Sequence, residues 1–170
     1  GTEARQCESM LMVPNGGPWG SWGLTQFCPS GYAKGFELKV RFHFYFGVGN
    51  KPAMKQRYFR LNKSWLVVFF PDKWGKWTKA QLCFSNKLVS FSLQVEKWQY
   101  FCDNTAVNNV RPACSNRTKL EGWGLSGGHF SPWSSNCTSG AICGLQKKVK
   151  VPQGRRDDTA LKVMRVFCCQ

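Results

Sequence analysis

Acidic residues, histidines, long apolar runs and helical periodicity are all scarce in this chain. Nine Asp and Glu face 24 Lys and Arg, which leaves a net charge of +15 and a pI of about 9.7. The most apolar run, Trp65 to Phe70, is far too short to cross a bilayer, so no membrane span is expected. Only His43 and His129 are present, and no Cys-x-x-Cys pair occurs, so no metal and no cofactor is expected. No Lys-Ser/Thr signature follows Gly127-Gly128, which excludes a phosphate loop there. No apolar segment of signal type stands at the start, so the sequence reads as a mature chain whose signal has been removed. With little periodicity near 3.6, the expectation is β structure.

What is abundant narrows the class. Nine cysteines in 170 residues, without metal-ligand spacing, point to disulfides and a secreted, extracellular address. Three N-glycosylation triplets fit that address, at Asn62, Asn116 and Asn136. The positive charge predicts attraction to polyanions. Nucleic acid is the poor candidate among them, because secretion removes the usual partner and no recognition motif is present. Aromatic residues make up 15% of the chain and Gly numbers 17, a profile of turns and packed rings rather than disorder.

The chain repeats itself. Trp22, Trp77 and Trp133 recur at a near-constant interval of about 55 residues, and Cys28, Cys83 and Cys137 follow them at the same spacing. An alternating strand follows each cysteine: Phe36, Leu38 and Val40 share one face, and Phe91, Leu93 and Val95 repeat it. In the third copy, Leu145 to Val149, Lys147 interrupts the apolar face. The turns Asp103-Asn104-Thr105-Ala106 and Asp157-Asp158-Thr159-Ala160 are offset by one repeat length, and Cys114 and Cys168 share that offset. The reading is a single domain over 1–170 with three repeats near 13–70, 71–124 and 125–170. The first repeat is eroded over 41–70, where aromatic and basic strands replace the pattern. A unit with one apolar sheet face cannot bury it alone, so three such sheets are expected to turn inward around a shared axis.

Several strings identify a resemblance: Val13-Pro14-Asn15-Gly16-Gly17-Pro18-Trp19-Gly20, Gln26-Phe27-Cys28, Leu88-Val89-Ser90-Phe91-Ser92-Leu93, Cys143-Gly144-Leu145-Gln146, and Asp157-Asp158-Thr159-Ala160-Leu161 through to Phe167-Cys168-Cys169. From residue 13 onward the chain resembles the vitelline membrane outer layer protein 1 family of the egg coat, as a divergent paralogue. The resemblance implies an all-β fold, a β-prism of three Greek-key sheets with pseudo-threefold internal repeats stabilised by disulfides. It also implies secretion into an egg-coat type extracellular matrix, and an association with transfer activity on N-acetylchitooligosaccharides that has no settled catalytic residues.

Equivalent repeats should carry equivalent bridges. Cys83–Cys114 and Cys137–Cys168 span equal intervals, and Cys143–Cys169 follows as a third. A compensating Cys7–Cys28 bridge is expected, with Cys102 left unpaired or linking two chains of an otherwise monomeric protein.

For function, Asp157 and Asp158 are the candidate acids of an enzyme, since paired carboxylates can protonate a leaving oxygen and stabilise an oxocarbenium ion. Their recurrence at Asp103 favours turn-forming carboxylates instead, because a turn is needed in every repeat and a catalytic pair only once. Most of the tryptophans read as core, whereas Trp98 and Trp123 fall in irregular stretches and are candidates for sugar contact. Together with Asp103, Asp157 and Asp158 they form the candidate carbohydrate-binding set. The favoured function is a structural or glycan-binding matrix component that engages acidic or neutral glycans and matrix glycoproteins. A weak glycosyl transferase or hydrolase is the first alternative, and a cationic defence protein the second.

Overall fold

Among the described residues, period-2 alternation becomes strand. The computed structural model describes residues 6–18, 20–28, 30–44, 52–62, 66–67, 76–97, 105–124, 126–150 and 160–170. In chain order the strands are β1 (Ser9–Leu11), β2 (Ser21–Trp22), β3 (Gln26–Phe27), β4 (Gly35–Phe44), β5 (Pro52–Asn62), β6 (Leu66–Val67), β7 (Lys76–Trp77), β8 (Gln81–Leu82), β9 (Leu88–Lys97), β10 (Thr105–Cys114), β11 (His129–Phe130), β12 (Ala141–Lys150) and β13 (Ala160–Cys169). No helix occurs among the described residues.

Three long antiparallel hairpins form the frame: β4–β5, β9–β10 and β12–β13. Short strands complete each one, and they come from the next stretch of chain. β7 and β8 pair with β4, β11 pairs with β9, and β2 and β3 pair with β12. The N-terminal strands therefore close the ring on the last hairpin, where β1 also pairs with β13. Each lead-in segment of a repeat thus finishes the sheet of the hairpin before it. One backbone bond marks this three times: Cys83 N donates to Lys34 O, Cys137 N to Val89 O and Cys28 N to Cys143 O. The result is a β-prism with a pseudo-threefold plan.

The inward faces meet in one core. Phe36 and Leu38 come from the first hairpin; Phe91, Leu93, Val107 and Val110 from the second; Leu145, Leu161, Met164 and Val166 from the third. Alternation explains this, since successive side chains on a strand point to opposite faces. The outward residues of β9 include Ser90 and Ser92, yet both are buried. The segment after β11 covers them. Ser131 Oγ accepts from Leu93 N at 3.2 Å, and Ser134 Oγ accepts from Phe91 N at 3.1 Å, so two hydroxyls stand in for a further strand.

Disulfides join Cys83 to Cys114, Cys137 to Cys168 and Cys143 to Cys169. The expected Cys7–Cys28 bridge is not formed. Cys7 precedes β1 at one edge of the third sheet, whereas Cys28 follows β3 at the opposite edge, with β13 and β12 between them. Three strand spacings amount to about 14 Å, far beyond the reach of a disulfide. Cys7 is exposed, with a thiol that donates to Ser9 O, and Cys28 is buried. Cys102 lies outside the described residues.

Two further expectations change in detail. The strand register aligns Trp22 with Lys148, Trp77 with Lys39 and Phe130 with Gln94, which makes Phe130, not Trp133, the third counterpart of Trp22 and Trp77. Lys147 does not interrupt the core by turning out. It is 6% exposed and occupies the register place of Leu38 and Leu93.

Candidate carbohydrate-binding surface

Of the five candidate sugar-contacting residues, only Trp123 falls within the described residues. Trp98, Asp103, Asp157 and Asp158 lie outside them. Trp123 is 66% exposed. Its position follows from the chain around it, which runs beside the edge strand β10. Leu120 N donates to Pro112 O, Gly122 N to Val110 O, and Asn109 Nδ2 to Gly122 O at 2.8 Å. Gly122 and Gly124 flank the indole. A Cβ on Gly122 would lie 2.7 Å from Leu38 Cδ1, and one on Gly124 would run into Asn108 O. The two glycines therefore let the backbone press against the core while Trp123 projects outward on a fixed base. The buried Asn108, the extra residue of a β-bulge in β10, ties the same region by donating to Gly127 O at 2.7 Å and Glu96 Oε2 at 3.1 Å.

The indoles of Trp22 and Trp133 are occupied. Arg165 lies 4.0 Å from the centre of the Trp22 ring, and Lys148 lies 5.7 Å from it. Gln146 locks the arginine by accepting from Arg165 Nε at 2.7 Å, while its own amide donates to Gly23 O. The second sheet repeats the device. Arg111 sits 3.7 Å from the Phe130 ring and forms an ion pair with Glu121 at 2.6 Å. Lys119 covers Trp133 at 5.2 Å. Register places Arg60 and Trp77 at the matching points of the first sheet. Such stacks contribute about 0.5–2 kcal/mol, and they occupy ring faces that a sugar would need. The sequence carried a signal for this pairing: Arg111 and Arg165 are offset by one repeat length, as Cys114 and Cys168 are.

Lys147 is the unusual titratable group. Desolvation by burial pushes its pKa down from 10.5 to about 7. It faces the core rather than the surface, and the bulge residue Lys162 on β13 is buried as well.

Comparison with known proteins fits this geometry. The sequence pattern described as Vitelline membrane outer layer protein I (VOMI) matches residues 9–170. The chain belongs to that family. It is 42% identical to the human vitelline membrane outer layer protein 1 homolog (Homo sapiens) and 38% identical to the mouse one (Mus musculus), covering 95% of this chain and 83% of each relative. Among solved structures, Calystegia sepium agglutinin superposes with a TM-score of 0.53 at 13% identity, over 97% of both chains. Artocarpin in complex with mannotriose gives 0.54 at 14%, covering 97% of this chain and 99% of that one. The V. cholerae biofilm matrix protein Bap1 gives 0.56 at 9%, covering 98% of this chain but 24% of that one. At these identities the likeness is one of fold: this family member shares the β-prism of lectins. No helix among the described residues of this family member is long and apolar enough to cross a membrane.

Proposed function

We propose that this protein is a secreted structural or glycan-binding component of an egg-coat type extracellular matrix. It engages acidic or neutral glycans on matrix glycoproteins. The observation that carries the reading is Trp123, an exposed indole held between two glycines that cannot move off the core, on a lectin-like prism. An aromatic ring free on one face can stack on the C–H face of a pyranose, and its rigid base limits the entropy lost on binding. Trp98, Asp103, Asp157 and Asp158 remain the further candidates for sugar contact. Three disulfides and a charge of +15 suit an extracellular protein among acidic glycoconjugates. Of the glycosylation triplets, Asn116 and Asn136 are exposed, so both are open to modification. The chain acts as a monomer unless Cys102 or the exposed Cys7 links two copies.

The test is a glycan array at low and moderate salt with the wild-type protein and Trp123→Ala. A central stacking residue is worth about 2 kcal/mol, so saturable binding should weaken roughly thirtyfold. Equal binding by the two proteins would remove Trp123 from the site. The enzyme alternative, transfer or hydrolysis on N-acetylchitooligosaccharides, rests on the Asp157-Asp158 pair. It predicts that replacing both by Asn abolishes turnover while glycan retention is unchanged.

A further inference from the structure

We propose that the strip running from Trp123 through Lys119 and Arg117 to Lys87 is a docking surface for a linear sulfated glycan chain. This rests on the glycan-binding reading above and adds the class of glycan and the cations that hold it. The strip is built on two turns clamped together. The Cys83–Cys114 bridge joins them, Ser115 N donates to Lys87 O at 2.7 Å, Lys87 N donates to Ser115 Oγ, and Ser115 Oγ donates to Asn86 Oδ1. Arg117 is fixed at the tip of its turn. Its φ is 71°, its N–H donates to Cys114 O, and Asn116 Oδ1 accepts from Thr118 N. Lys119 bridges to Ala113, and from there the extended chain passes Glu121 to Trp123.

Two of the three cations are oriented by rings, Lys87 at 4.3 Å from Tyr32 and Lys119 at 5.2 Å from Trp133. None of the three is in an ion pair with a described residue, and the nearest carboxylate along the strip, Glu121, is already held by Arg111. Phe84, 83% exposed on the first turn, adds an apolar face beside the charges. Lys87 beside Ser115 and Lys119 beside Ala113 stand two strand spacings and about two residues apart, roughly 12 Å, with Arg117 on the turn between them, so a ligand that reaches all three must be extended. One terminal carboxylate, as on a sialylated branch, reaches a single cation. A polymer with sulfates recurring along its length reaches all three while its sugar rings lie over Trp123 and Phe84. That geometry decides for the sulfated chain.

The experiment compares elution from immobilised heparin, in a Thr118→Val background that removes the Asn116 glycosylation triplet and leaves the turn's amide bond in place. The variants are Lys87→Gln/Arg117→Gln/Lys119→Gln and a charge-matched control, Lys79→Gln/Lys97→Gln/Lys148→Gln. At about fivefold per cation near an anionic surface, the strip variant should lose roughly a hundredfold in affinity, and the control far less. The slope of log affinity against log salt should fall by about three for the strip variant. Equal losses in the two variants would overturn the strip while leaving a glycan-binding protein steered by bulk charge. Equal binding of N- and O-desulfated heparin would overturn the requirement for sulfate. Failure of the wild-type protein to bind heparin or any arrayed glycan would overturn both the strip and the function it rests on.

Discussion

Replacing Lys147 by methionine should make the protein more stable at neutral pH. Lys147 stands where the other two repeats place Leu38 and Leu93, and burial moves its pKa from 10.5 to about 7. A tenfold change in a protonation equilibrium is worth about 1.4 kcal/mol, so keeping this amine in the core costs roughly 4–5 kcal/mol at pH 7. Methionine matches its unbranched shape without the charge. The sign of the pH effect follows from proton counting. Between pH 7 and 10.5 the unfolded chain binds a proton that the folded chain lacks, so wild-type stability rises with pH through that window. The variant lacks this dependence. Urea unfolding followed by tryptophan fluorescence, with disulfides intact and thiols alkylated, should show the stability gap between variant and wild type shrinking by about 3 kcal/mol from pH 7 to pH 9.5. A variant less stable than wild type, or a gap that does not change with pH, would refute the assignment of Lys147 as a desolvated core amine.

Other perturbations have defined outcomes. Gly124→Ala would drive a methyl group into Asn108 O and should cost about 1–3 kcal/mol by thermal unfolding. Removing the Cys83–Cys114 bridge by a double alanine substitution should cost about 2–4 kcal/mol, and it should also reduce heparin affinity, because that bridge clamps the two basic turns. Arg165→Gln, which uncovers the Trp22 ring, should cost about 0.5–2 kcal/mol and change indole fluorescence. Protein made in a glycosylating host should show sugar at the exposed Asn136 by peptide mass spectrometry, and an unmodified Asn136 in all such protein would contradict its reading as an acceptor.

The sequence disclosed the fold through features with a local period. Phe36, Leu38, Phe91 and Leu93 alternate, and alternation is a property of each strand by itself. Cys83–Cys114 and Cys137–Cys168 could be paired because two repeats carried the same interval. What stayed hidden depends on contacts between distant segments. The exchange of lead-in strands, in which residues near Trp22 complete the sheet of β12, leaves no trace in spacing, because a unit that finishes its own sheet and one that finishes its neighbour's look alike in sequence. Phe130 was obscured for a related reason: Trp133 is the better chemical match to Trp22, but register follows hydrogen bonds. The Cys7–Cys28 bridge failed because two strands stand between cysteines that the repeat intervals had left over. Lys147 looked like a break in the apolar face because its charge was assumed, whereas the buried amine loses much of it. The basic strip was invisible as a site, since Lys87, Arg117 and Lys119 are scattered among 24 cations and only the folded turns bring them together.

The most direct test of the account is a saturation binding measurement on the glycan array, read at two salt concentrations for wild-type protein and Trp123→Ala. A glycan-binding protein that uses Trp123 should give saturable binding as wild type and a loss of roughly thirtyfold in the variant, with unfolding unchanged. Absence of saturable binding to any glycan at either salt concentration would contradict it.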